Sequence, residues 1–216
     1  MDRKEKSRTV LEQYEIPFYD TAEAVDEENA VLRSPHEIAK RAIACLLTLQ
    51  IAGDMYYGND VRKSKEYFWK LLKDFDAVNY LTENEERFVY ETPSRDEALD
   101  MIWQYEACQV LLWALGLTGD LDFPDQLCES KQILGVILSF GSFDELMKKV
   151  HPLPLSIILD ETDIVCRMDY ACIRAKANGE ELPAGISREV LHERKRALFW
   201  LIHGQDNFKI WDEELI

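Results

Sequence analysis

Ahead of four apolar-periodic stretches a serine or threonine stands three residues before a glutamate: Ser34–Glu37, Thr82–Glu85, Ser94–Glu97 and Ser142–Glu145. That spacing lets a serine or threonine cap one free amide at a helix start while the carboxylate reaches back to another. Each pair precedes a stretch whose apolar residues recur with helical period. Pro35 and Pro154 sit where a first-turn proline belongs. Gly116, Gly179 and Gly204 each follow a long periodic segment, where helices stop. No segment alternates in the manner of a strand, and there is no internal repeat or low-complexity tract. The pattern predicts an all-α protein, a single-domain helical bundle or orthogonal helical array of about seven to eight helices.

The expected helices cover about 3–14, 35–52, 61–75, 96–117, 124–138, 154–178 and 188–203, with short ones near 83–90 and 143–150. Residues 1–33 read as a peripheral N-terminal segment, and 154–216 as a C-terminal helical pair and tail. Ala107 to Leu117 is nearly all apolar, which marks a helix surrounded by other helices and predicts the central core element there. Apolar residues make up 47% of the 216, enough for a core that needs neither disulfide nor metal.

The charge balance, 25 basic against 41 acidic side chains for a net −16, narrows the partners. Such a chain repels nucleic-acid phosphates and anionic membrane faces. It suits a basic protein partner, or serves solubility alone. The charged N-terminus lacks the apolar stretch of a signal peptide, and no run approaches the roughly 20 apolar residues of a membrane span. Cys45, Cys108, Cys128, Cys166 and Cys172 are odd in number, dispersed and without a CxxC pair, so reduced core thiols in a cytoplasmic protein are expected.

Two groups of residues invite chemistry. Glu106 has Ile102, Trp103, Val110 and Trp113 as helical neighbours, and a carboxylate in that setting needs a partner or keeps its proton. An arginine from another helix, such as Arg41, Arg167 or Arg194, would satisfy it. Asp160, Glu161 and Asp163 crowd one helical turn, with Arg167 and Arg174 further along, and the last helix offers Glu193, Arg194 and Arg196. Asp163 and Arg167 have the four-residue spacing of an intrahelical ion pair. The group reads either as an acid–base or ligand pocket or as a buried ion-pair network holding helices in register. Glu189 and His192 have di-iron spacing, but a second such motif is missing, so neither metal nor cofactor is expected. Trp200 and Trp211 read as core and tail anchors.

Three segments resemble a bacterial family catalogued as domain of unknown function 4272. They are 33–47 (RSPHEIAKRAIACLL), 103–117 (WQYEACQVLLWALGL) and 158–202, and the closing Trp211-Asp212 resembles the family's Trp-Asp-Asp, with Glu213 in third place. The resemblance marks Glu106, Asp160, Glu161, Asp163, Arg167, Arg174, Glu193 and Arg194 as family positions. Tyr170 stands where the family carries tryptophan, and Lys195 where it carries histidine, which weakens any mechanism using that histidine as a proton carrier. The functional expectation is an interaction module with an acidic surface, an immunity-type neutraliser of a toxin being one form. An enzyme or small-ligand binder using the carboxylate–arginine group is the alternative, and self-pairing through an exposed helix face stays open.

Overall fold

The protein, described by a computed structural model over residues 2–22, 25, 27–204 and 211–212, is all-helical and has no strands among those residues. Ten α-helical segments follow one another: α1 Arg3–Gln13, α2 Pro35–Tyr57, α3 Val61–Asp74, α4 Glu83–Tyr90, α5 Arg95–Ile102, α6 Tyr105–Ala114, α7 Ser130–Leu138, α8 Phe143–Met147, α9 Leu155–Asn178 and α10 Arg188–Ile202. The helix starts follow the sequence signals. Complete reciprocal caps close on α2, α4 and α5 at Ser34, Thr82 and Ser94. At α8, Ser142 caps the Glu145 amide, but the Glu145 carboxylate turns instead to the Gly141 amide at 2.8 Å.

The central element is α2 rather than the expected 107–117 run, which falls mostly in α6 and packs against α2 and α10. From Ile38 to Leu49 every residue is buried, a stretch too apolar to lie on a surface. α3, α4, α5 and α6 all pack around it, α10 lies against α6 and α9, and α1 lies along α9. The buried apolar residues form one contiguous cluster running from Leu11 to Trp211.

Three boundaries depart from the periodic pattern. α2 continues to Tyr57 and ends on a left-handed Gly58, five residues past the expected stop. The expected 96–117 helix is broken at Trp103-Gln104 into α5 and α6. The helix expected from 124 starts only at Ser130, because the backbone ahead of it is engaged elsewhere. The Pro124 carbonyl accepts from the Ser187 amide at 2.8 Å, and the Cys128 amide donates to the Glu106 carboxylate at 2.5 Å. Two stop glycines have steric grounds. At Gly116, φ is +68°, and a Cβ would stand 2.3 Å from the His151 carbonyl oxygen. At Gly204 a Cβ would stand 2.6 Å from the Val31 carbonyl oxygen, where the segment before α2 pairs with the end of α10.

Candidate functional site

Glu106 lies in the first turn of α6, wholly buried. Its Oε2 accepts from Arg194 Nε of α10 at 2.8 Å, and its Oε1 accepts from the Cys128 amide. Arg194 Nη1 donates onward to the Asp122 carbonyl at 2.6 Å. One carboxylate therefore ties α6, α10 and the 118–129 segment together, with both oxygens taken by structural donors. Of the three arginines that could have met it, Arg194 does.

The α9 residues divide among separate partners. Asp163 is buried and its Oδ2 accepts from Arg167 Nε at 2.7 Å and from Ser7 Oγ of α1 at 2.5 Å. The expected four-residue pair is present, and the guanidinium of Arg167 lies 4.7 Å from the Phe18 ring centre. Asp160 turns to α1, where Arg3 Nε donates at 3.1 Å and Lys6 Nζ at 2.5 Å. It does not meet Arg167. Arg174 is exposed and lies over Tyr19, outside the group. Glu193 is buried and pairs with Arg196 Nε at 2.9 Å on its own helix, and Arg196 also donates to the Trp211 carbonyl. Lys195 pairs with Asp169 at 3.1 Å.

Glu161 is the exception. It is half-buried and takes part in no hydrogen bond or ion pair among the described residues, and burial pushes its carboxyl up, with Arg194 opposing and Asp120 adding to the shift. Six of the eight candidate residues thus form separate ties, and Glu161 and Arg174 stand outside them.

A further buried pair escapes single-residue reading. Arg41 of α2 is fully buried and makes a two-pronged bond to Glu85 of α4, with Nη1 at 2.7 Å from Oε2. Glu85 is the same glutamate that completes the α4 cap, so the capping signal disclosed one of its two roles. The Arg41 guanidinium lies 4.3 Å from the Trp211 ring centre, and Trp211 Nε1 donates to Gln104 Oε1 at 3.1 Å, at the α5–α6 break. Trp200 meets the same indole edge-on at 5.8 Å. Asp212 caps α4 by accepting from the Asn84 amide at 3.1 Å. Trp200 and Trp211 are the core and tail anchors expected, while Glu213 lies outside the described residues. Arg41, one of the arginines expected to meet a buried carboxylate, meets Glu85 rather than Glu106.

The nucleophile inventory is quiet. Burial raises the thiols of Cys45 and Cys128, and pushes Cys166 up to about 12 and Cys172 up to about 11, which keeps them protonated and weakly reactive. Burial lowers His192, whose Nε2 meets Arg196 Nη2 at 3.1 Å. Among the described residues no group of three or more His, Cys, Asp or Glu is placed to hold a metal ion, and no helix is long and apolar enough to cross a membrane. The contacts these polar groups make in the structure pair charges within and between helices.

No curated protein and no solved structure matches the chain. Residues 3–214, nearly the whole length, match the model of one family, and they include the Glu106–Arg194 tie, the α1–α9 contacts and the Trp211-Asp212 anchor. The chain belongs to the family described as Domain of unknown function (DUF4272).

Proposed function

We propose that the protein is a cytoplasmic protein-interaction module that binds a basic partner, an immunity-type neutraliser being one form of it. One observation carries the reading. Among the described residues five basic and four acidic side chains are buried, a net of +1, so buried charge there accounts for none of the chain's −16. A field of one sign steers a basic protein into fast, salt-sensitive association. The buried carboxylate–arginine pairs add support by their occupancy, since a working acid or base needs a free oxygen and Glu106 has none. The alternative of an enzyme or small-ligand binder rests on Glu161, the one candidate carboxyl without a hydrogen bond.

The test is affinity purification of the tagged full chain from its native host at low salt, followed by mass spectrometry. A stoichiometric basic protein, released by moderate salt, is the expected result. Recovery of the chain alone, or with a partner indifferent to salt, contradicts the reading and makes Glu161 the place to look for a ligand.

A further inference from the structure

The most basic helix of this acidic protein is α3, with Arg62, Lys63, Lys65, Lys70 and Lys73 against Glu66 and Asp74. Most cations of the other basic helices are held by carboxylates of different elements, Arg3 and Lys6 by Asp160, Lys4 by Asp20, Arg194 by Glu106 and Lys195 by Asp169, while Arg196 pairs within its own helix. Those of α3 are not. Arg62 and Lys63 reach only Glu66 and the capping Asp60 of their own helix. Lys65 donates to the Glu91 carbonyl, Lys73 lies over Trp69, and Lys70 is exposed with no partner among the described residues.

Beside it lies a strip of opposite sign. α4, α5 and the turn between them expose Glu83, Glu86, Glu91, Asp96 and Asp100 against Arg87 and Arg95. The two strips touch. Trp69 of α3 meets Tyr90 of α4 edge-on at 5.5 Å, and Lys65 of α3 donates to the Glu91 carbonyl just past the end of α4. Large apolar side chains gather on these same elements. Of nine exposed among the described residues, Tyr67 at 55%, Tyr90 at 62% and Leu99 at 38% lie on α3, α4 and α5, and Tyr57 at 74% ends the neighbouring α2. Exposed tyrosines concentrated on neighbouring helices are the composition of an interface core.

We propose that this face pairs with a second copy of the chain, as a two-fold dimer in which α3 of each copy lies on α4 and α5 of the other. Adjacent strips of opposite charge are self-complementary under a two-fold rotation, since one turn satisfies both at once. A foreign acidic protein would match α3 and leave the α4–α5 strip facing like charge. The tyrosines supply the buried area, and the charges fix the register.

The test is sedimentation of the full chain across a concentration series, alone and as two charge-reversed variants, K63E/K70E and E86K/D100K. The wild type sediments as a dimer that loosens as salt rises. Each variant weakens association by about tenfold or more, because like charges then face each other. An equimolar mixture of the two restores it, since each reversed strip meets its complement. Lys70, Glu86 and Asp100 are exposed and Lys63 reaches only Asp60, so circular dichroism and melting should match the wild type. Should a reversed pair fail to fold, Tyr67→Ser reads the same interface from its apolar side and weakens the dimer. A wild type that stays monomeric throughout, or a mixture no tighter than its separate components, overturns the proposal.

Discussion

Glu106 with Arg194 and Asp160 with Arg3 are the same chemical pair in two different solvents. The distances hardly differ, 2.8 Å and 3.1 Å. The surroundings do. The side chains of the first pair are 0% and 3% exposed, those of the second 15% and 18%, and Asp160 has Lys6 as a second cation. A charge left alone in the first place has no water to turn to, whereas one left alone in the second is rehydrated. The lesson is that length says little about what an ion pair contributes here, and that the environment of the survivor decides it.

Breaking the buried pair has the largest expected effect. Glu106→Ala strands the Arg194 guanidinium and frees the Cys128 amide, and urea unfolding should register a loss of about 3–5 kcal/mol. Asp163→Asn comes next, at about 2–3 kcal/mol, because the abandoned Arg167 still has the Phe18 ring against it. Asp160→Asn should stay within about 1 kcal/mol, and added salt should shrink even that. A loss at Asp160 equal to the loss at Glu106 would break the comparison.

The smallest effect sharpens the comparison through pH. Burial, opposed by Arg194 and reinforced by Asp120, raises the Glu161 carboxyl, so the folded state keeps that proton to higher pH than the unfolded chain does. The stability this proton brings is full below the unfolded carboxylate range and is lost as pH rises through the folded value. Glu161→Gln removes the titration. Its melting temperature should exceed the wild type's at neutral pH, and the gap should close towards about pH 4. A gap independent of pH would assign the effect to packing.

Much of the fold was legible because its signals are local. A Ser34–Glu37 cap depends on four residues and closes as read, and the apolar run of α2 demands burial whatever surrounds it. The extent of α7 was not legible, because Pro124 and Cys128 spend their backbone groups on Ser187 and Glu106, which are remote in sequence. The candidate site divides the same way. Asp163 with Arg167 is a spacing rule within one helix. The need of Glu106 for an arginine follows from its apolar neighbours, but choosing Arg194 over Arg41 or Arg167 takes the packing of α10 on α6. Asp160 carries no mark of its partner, since Arg3 and Lys6 lie more than 150 positions away.

The central claim is that the carboxylate–arginine pairs hold the fold and do not perform its chemistry. A double-mutant cycle on Glu106 and Arg194, measured by urea unfolding, tests it most directly. Glu106→Gln and Arg194→Met should each cost about 3–5 kcal/mol. The double variant should lose less than their sum, with a coupling of about 1–3 kcal/mol. A Glu106→Gln protein that unfolds like the wild type yet loses partner binding or an activity would contradict the account and place Glu106 in a working site.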